Sequence, residues 1–296
     1  MIEKAIHLVK RVIQKLQDYG KLVMFSHTIF SLSFALVSLL AASNGKPEPG
    51  VFFWAMLALL GARTGANALN RVIDAKIDAK NPRTANRQIP KGEVSVKETL
   101  VFVALCFALL VFSAYKLNPL CMYLSPLALF LMFIYSYTKR FTWLCHLVLG
   151  ITCACAPVGA WLAVTGAFSW QAIFLGGANC LWTAGFDIIY GSQDYEFDKA
   201  NGLHSIPVRF GIKGGLIISA LFHLGALGCL GLYWLISLPQ TGWILLVGIV
   251  VIFGLMVVQH KLVTPGHLEQ VNLASYSISQ ITGIVLIIAG VLDVYL

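Results

Sequence analysis

Asn70-Arg71-Val72-Ile73-Asp74-Ala75-Lys76-Ile77-Asp78 follows an apolar run, Val51 to Leu69, and leads into a loop rich in Lys and Arg. The run is close to the ~20 residues an α-helix needs to cross a bilayer. Asn70, Asp74 and Asp78 recur every four residues. On a continuous helix that spacing stacks three oxygen-bearing side chains in one stripe. Carboxylates aligned at the mouth of an apolar helix point to a hard divalent cation. The stretch therefore predicts a membrane-spanning helix that ends in a polar site.

The composition extends this reading to the whole chain. Of 296 residues, 58% are hydrophobic and 11% charged, and the mean hydropathy is +0.79. A soluble domain carries about 25% charged residues. Span-length apolar runs recur at 22–42, 51–70, 98–116, 119–137, 143–165, 170–190, 213–236, 241–259 and 273–295. The expected fold is all-α: a polytopic membrane protein of nine transmembrane helices. Turn signals separate several spans, among them Asn44-Gly45-Lys46-Pro47, Asn118-Pro119 and Thr264-Pro265-Gly266. Residues 2–19 place Ile2, Ile6, Val9, Ile13 and Leu16 on one face and Lys4, Lys10, Arg11 and Lys15 elsewhere. That pattern predicts an interfacial amphipathic helix over 1–21, ahead of a single transmembrane domain over 22–296. The seven cysteines lie in or beside apolar runs with no CxxC pair, which excludes a disulfide frame or a zinc site.

The net charge is +8. Its distribution excludes nucleic acid as the partner, because no basic patch is interleaved with aromatics. Of the 21 Lys and Arg, all but Lys46, Lys116 and Arg63 fall in the N-terminal segment, the 71–97 loop, Lys139-Arg140, the 191–213 stretch or the 260–272 loop. With nine spans, all these segments lie on one side, which the positive-inside rule makes the cytoplasm.

A second acidic stretch ends the sixth span on that same side: Asp187-Ile188-Ile189-Tyr190-Gly191-Ser192-Gln193-Asp194-Tyr195-Glu196-Phe197-Asp198. Asp194 and Asp198 are four apart, and Asp187 lies nearly two helical turns before Asp194. The two stretches hold six of the thirteen acidic residues: Asp74, Asp78, Asp187, Asp194, Glu196 and Asp198. Their placement four spans apart fits two four-helix halves, 22–137 and 143–259, with a ninth helix appended. A charged loop is ordinarily a solvated face. The repeated period of four, at the end of a span each time, weighs against that here, since clustered charge at membrane depth marks a site.

Asn and Asp oxygens suit Mg²⁺, which is bridged by one or two carboxylates and phosphate oxygens. Arg83, Arg87 and Lys91 follow the first stretch, and Lys139 and Arg140 follow the fourth span. Arg and Lys supply the fork and the point charge that phosphate needs. Acid, metal and base opening into an apolar bundle imply an amphiphilic substrate, a diphosphate on a lipid tail. Of the histidines, only His27 and His204 are near these stretches in sequence; His7, His146, His223, His260 and His267 are scattered. Phe30, Phe34, Trp161, Trp182 and Phe186 are read chiefly as bundle packing, with cation–π shielding of a carbocation as the functional alternative. Gly176-Gly177 signals close helix packing.

Asn70-x3-Asp74-x3-Asp78 with Pro82-Arg83-Thr84-Ala85-Asn86-Arg87 resembles the first signature of the UbiA superfamily of intramembrane prenyltransferases. Asp187-x2-Tyr190-x3-Asp194-x3-Asp198 resembles its second, Tyr135-x3-Lys139 its Tyr-x3-Lys element, and Arg63 a recurring Arg. The likeness covers residues 22–215. It implies a bundle around a central cavity, Mg²⁺, a polyprenyl diphosphate donor and an aromatic acceptor of the 4-hydroxybenzoate kind, in ubiquinone or menaquinone synthesis. By resemblance the metal ligands are Asn70, Asp74, Asp78, Asp194 and Asp198, with Asp78 in a supporting place. Arg63, Arg83, Arg87 and Lys139 would bind the diphosphate. Asp187 and Tyr190 would address the acceptor's hydroxyl and Arg140 its carboxylate. The site would face the cytoplasm of a bacterial-type inner membrane.

The chain departs from the 4-hydroxybenzoate pattern at Phe25-Ser26-His27, at Arg71, at Gln88 and at Gly202-Leu203-His204-Ser205. With Phe186-Asp187-Ile188-Ile189-Tyr190, these features are more similar to the branch linked to futalosine-route menaquinone synthesis. Two alternatives stand beside this reading. One is a transporter of an anionic or phosphorylated lipid precursor, which would carry its charges mid-span. The other is the same scaffold with haem, chlorophyllide or a glycerol phosphate as acceptor.

Overall fold

Cap and turn chemistry divides the apolar chain into helices. The structure, a computed structural model, describes residues 18–20, 22, 29–238 and 241–296. The amphipathic segment expected over 2–19, apart from its last two residues, lies outside the described residues, as do His27 and the side chain of Phe30. Apart from one isolated bridge between Thr264 and His267, regular structure among the described residues is helical. The helices are α1 (Ile29–Ala42), α2 (Pro49–Ile73), α3 (Ala75–Asp78), α4 (Val96–Leu117), α5 (Pro119–Thr138), α6 (Cys145–Thr165), α7 (Trp170–Gly191), α8 (Tyr195–Ala200), α9 (Ile206–Ile236), α10 (Trp243–Leu262) and α11 (Ser279–Tyr295). A 3-10 turn, Ser192–Asp194, joins α7 to α8, and a π-helical stretch, Leu273–Ile278, runs into α11.

The starts are encoded locally. Ser95 and Glu98 form a capping box at α4. Asn118, Ser169 and Ser205 accept the third backbone N–H of α5, α7 and α9. Eight helices among the described residues are long and apolar enough to cross a bilayer, and α1 is the described part of the remaining expected span. The seventh span begins earlier than expected. Helix starts at Ile206, seven residues before 213, because Ser205 caps it and Pro207 pre-sets its first turn. Gly211, at φ 73° and ψ 166°, then breaks that turn from the membrane-crossing part.

The helices close into a ring. The most extensive packing is α2 on α4, α9 on α7 and α7 on α6; α1 lies between α6 and α11, and α10 lies against α11. Small residues permit these approaches. A Cβ on Gly150 of α6 would stand 2.3 Å from the Cys180 carbonyl oxygen of α7, and one on Gly176 would stand 2.7 Å from Val158 Cγ2. The apolar core is centred on Phe34, Leu175, Trp182, Leu230, Ile252 and Leu286. The rings of Phe34 and Trp182 are 5.3 Å apart and buried, so both serve bundle packing. Val101, Leu105, Tyr123, Leu127, Phe130 and Val250 are among many large apolar side chains on the outside, as a lipid-facing surface requires. All seven cysteines are free.

Candidate active site

Both acidic stretches bend where a straight helix was expected. α2 ends at Ile73, and Asp74 takes φ −90°, ψ 0° as its C-cap before the single turn α3. α7 gives way at Ser192–Asp194 to a 3-10 turn before α8. The continuous stripes predicted from the spacing of four are thus each broken at the middle carboxylate. The cause is tertiary. Arg140 Nη2 donates to Ile73 O and to Asp74 Oδ1, both at 2.9 Å, which fixes the backbone turn from a different helix end.

Every carboxylate of the first stretch finds a cation. Asp74 is 3% exposed and Asp78 4%, so an unpaired charge at either place would be costly. Asp74 binds Lys139 Nζ at 2.8 Å and Arg140 Nη2 at 2.9 Å, and accepts from Asn70 Nδ2 at 3.1 Å. Asp78 is turned onto Arg87, whose Nη1 is 2.7 Å from both of its oxygens. Arg140 also donates to Ser136 O at 2.7 Å. Together these bonds fasten Asp74 and the end of α2.

The second stretch is tied to the first. Arg83 grips Asp194 through Nε at 2.8 Å and through Nη2, and its Nη1 donates to the Tyr190 hydroxyl. Asn81 Nδ2 adds a bond to Asp194 Oδ1 at 2.9 Å. Burial alone would lower the Arg83 pKa; its bonds to Asp194 and Tyr190 outweigh this and raise it, so the guanidinium stays charged. Asp198 makes no side-chain hydrogen bond or ion pair with another described residue, but it lies within electrostatic reach of Asp194, Lys139, His146 and Arg83. Lys139 thus acts electrostatically on both stretches, through its ion pair with Asp74 and its charge felt at Asp198. His204 N donates to Lys139 O at 2.7 Å, while its side chain is exposed.

The chamber next to this layer has a volume of about 170 Å³. Of the predicted site residues, Arg63, Asn70, Arg87, Asp187 and Tyr190 line it, with Arg71, Asn67, Tyr135, Thr183, Phe186 and Tyr276. Asp74, Asp194, Asp198, Arg83, Lys139 and Arg140 do not; Asn70 and Tyr190 connect the salt-bridge layer to the chamber through their bonds to Asp74 and Arg83. Among the described residues no three His, Cys, Asp or Glu side chains converge as a metal cluster. The expected five-ligand assembly is therefore not drawn together in this conformation, because Asp74, Asp78 and Asp194 are each held by their own cation. The donor set itself, carboxylate and amide oxygen without sulfur, fits a hard ion such as Mg²⁺.

A second cavity, of about 300 Å³, runs on from the chamber between α2, α4, α5 and α6. It shares Ser31, Arg63, Asn67, Tyr135, Leu149 and Cys153 with the chamber. Beyond them its wall is mainly apolar, for example Met56, Leu59, Leu124, Met132, Ala156 and Leu162, with Ser125 and Thr152 as the polar exceptions. From Leu149 to Ala163 it follows α6 for about 21 Å at 1.5 Å per residue. A charged compartment that opens into a long apolar one matches an amphiphile with a polar head.

A model of the UbiA prenyltransferase family matches residues 31–279. The chain belongs to this family. Its relatives include 4-hydroxybenzoate octaprenyltransferases of Shewanella woodyi, 31% identical over 253 residues (84% of this chain, 87% of that one), and Vibrio campbellii, 33% identical over 214 residues (70% and 74%). The fold agrees with the apo structure of a UbiA homolog from Aeropyrum pernix K1 at a TM-score of 0.82, with 30% identity and coverage of 90% of this chain and 98% of that one. A UbiA homolog from Archaeoglobus fulgidus bound to GPP and Mg²⁺ aligns at 0.68 with 19% identity, over 94% of this chain and all of that one, and shares the fold. The chain is thus a membrane-integral prenyltransferase, and the transporter alternative falls away.

One histidine was missed by sequence reading. His146, at the start of α6, is buried, and its Nδ1 lies 2.8 Å from Asp187 Oδ2. It has no local spacing to any acidic residue, being 41 positions from its partner. The available signal was its depth: a titratable side chain in the first turn of an apolar span, level with Asp187, is a site pointer by default.

Proposed function

We propose that this UbiA-family enzyme transfers a polyprenyl group from its diphosphate to 4-hydroxybenzoate or a related aromatic acid, in ubiquinone or menaquinone synthesis. The observation that carries this is the joining of the charged chamber to the apolar cavity at Arg63, Asn67 and Tyr135. The names of the bacterial relatives support the acceptor class. The departures at Arg71 and Gly202-Leu203-His204-Ser205 favour an acceptor related to, but not limited to, 4-hydroxybenzoate.

In this reading Asn70, Asp74, Asp194 and Asp198 would hold Mg²⁺ once their cations are exchanged, and Asp78 acts one step back by aiming Arg87. When bound, Mg²⁺ supplies positive charge that neutralises the leaving diphosphate. Arg63 and Arg87, already in the chamber, bind the diphosphate oxygens, and Lys139 and Arg83 exchange their carboxylate partners for phosphate. Tyr135 and Leu149 direct the tail into the apolar cavity, which excludes water from the allylic carbon. The allylic C–O bond breaks with its electron pair going to the diphosphate. A ring carbon of the acceptor forms the new C–C bond and gives up its proton to the released diphosphate. Asp187 Oδ1, which has no bond to another described residue, accepts the acceptor's hydroxyl hydrogen beside Tyr190. Arg140 secures Asp74 and leaves the acceptor carboxylate to Arg71, which also lines the chamber.

The salt bridge from Arg83 and the hydrogen bond from Asn81 to Asp194 support one domain over 22–296 in which two halves share a site. The charge bias supports a cytoplasmic mouth. Membranes carrying the chain, given labelled farnesyl or geranylgeranyl diphosphate and 4-hydroxybenzoate, should form prenylated acid with Mg²⁺ and none with excess chelator. A mass-spectrometric screen of aromatic acids then identifies the acceptor. Failure of every aromatic acid, with intact protein and donor binding, would overturn the acceptor class.

A further inference from the structure

We propose that His146 is the positioning residue that orients Asp187 toward the aromatic acceptor. This rests on the reading of the chamber as the acceptor's site. Asp187 lines the chamber and His146 does not. His146 Nδ1 meets Asp187 Oδ2 from behind at 2.8 Å, and Asp187 Oδ1 has no bond to another described residue. The two oxygens are thus divided: one is held by the imidazole, and the other is left for the chamber. A carboxylate restrained through one oxygen presents its second lone-pair set in a fixed direction, which is what hydrogen-bonded recognition of a phenolic hydroxyl needs.

Packing holds the imidazole as well. His146 is 5% exposed at the start of α6. Gly191 on α7 passes so close that a Cβ there would stand 3.0 Å from His146 Cε1. Gly191 is four residues beyond Asp187, on the same face of α7. One helix therefore supplies both the carboxylate and the gap that admits its partner's ring. A His packed only to fill space needs neither the aligned Nδ1 nor the carboxylate opposite.

The test uses the full chain in detergent or nanodiscs and separates the two substrates. His146→Leu keeps an apolar volume but removes the donor to Asp187. His146→Asn keeps an N–H donor near the Nδ1 position. Gly191→Ala presses on the ring while leaving both partners in place. The kcat and KM for acceptor and donor are measured in each, with monodispersity confirmed by gel filtration.

The expected result is that His146→Leu lowers acceptor kcat/KM by about 10- to 100-fold, the span for losing one hydrogen bond to a charged group. Donor KM stays within about twofold of the parent, and His146→Asn recovers at least part of the loss. Gly191→Ala gives a smaller loss in the same acceptor-specific direction. Equal losses for donor and acceptor, or parental acceptor kinetics in His146→Leu, overturn the proposal. If His146→Leu is not monodisperse, Gly191→Ala decides it by the same criterion: an acceptor-specific loss supports the proposal, and parental acceptor kinetics or equal losses for donor and acceptor overturn it. Lack of turnover in the parent with every aromatic acid would instead refute the acceptor reading beneath it, so the two failures are distinct.

Discussion

Asp74→Asn is the sharpest test of the polar layer, because it changes charge with almost no change of shape. Asp74 is 3% exposed and receives Lys139 at 2.8 Å, Arg140 at 2.9 Å and Asn70 at 3.1 Å. An Asn keeps one acceptor oxygen but removes the negative charge from between two cations. Both cations are themselves partly exposed, with 29% and 28% of their side chains open, so water offsets part of the loss. The stability cost should be about 1–3 kcal/mol, the range for hydrogen bonds to charged groups. That leaves most of the protein folded at the assay temperature. The proposed role in holding Mg²⁺ demands far more of the activity: kcat should fall by at least about 10²–10³-fold, as when one preorganised electrostatic group is lost from a reacting centre. Thermal unfolding in detergent and product formation from labelled farnesyl diphosphate are measured on one preparation across a Mg²⁺ titration. A variant that loses stability but keeps parental kcat at saturating Mg²⁺ would refute the metal assignment. It would leave Asp74 as the counter-ion of Lys139 and Arg140 alone.

Three further outcomes follow from the geometry. Arg83→Lys loses the fork that engages Asp194 through Nε and Nη2 and Tyr190 through Nη1, so donor KM should rise about tenfold or more in steady-state kinetics. Ala156→Trp intrudes on the wall of the apolar cavity seven residues, about 10 Å, beyond Leu149. Mass spectra of competition assays should then show loss of long-tailed products with short ones retained. Gly150→Ala puts a methyl 2.3 Å from a backbone carbonyl that cannot rotate away, and should cost about 1–3 kcal/mol in thermal unfolding.

The membrane fold was legible because hydropathy alone decides which segments cross a bilayer, and the start signals at Ser95, Asn118, Ser169 and Ser205 are local. The two acidic stretches were legible as sites for the same reason in reverse, since charge at membrane depth is expensive. What spacing could not convey was the conformation at their middle residues. Asp74 leaves the helix because Arg140, 66 positions away, takes the Ile73 carbonyl and the Asp74 carboxylate together. No periodicity within 70–78 contains that fact. Spacing and resemblance set Asp78 beside Asp74 in a supporting place, and neither conveys that Arg87 draws both of its oxygens aside.

The same physics explains why the layer is built of salt bridges. Carboxylates intended for a divalent ion must sit close together in a poorly solvated place, where like charges repel and desolvation is costly. Lys139, Arg140, Arg83 and Arg87 cover that cost, and three of them face groups from a different part of the chain. The arrangement also stores the phosphate ligands next to where the phosphate is read to bind. Arg87 already lines the chamber while holding Asp78, and Arg83 reaches its edge through Tyr190. A diphosphate entering beside them competes with carboxylates for cations that are in place and charged, so recognition requires exchange of partners and not assembly of a site. Substituting Asp194 by Asn should then free Arg83 and tighten binding of a non-hydrolysable prenyl diphosphate in the absence of Mg²⁺, while turnover with Mg²⁺ falls. Isothermal titration with and without Mg²⁺ measures the binding, and product formation from labelled farnesyl diphosphate measures the turnover. Weaker binding in both conditions would show that Asp194 positions Arg83 for phosphate instead of competing with it.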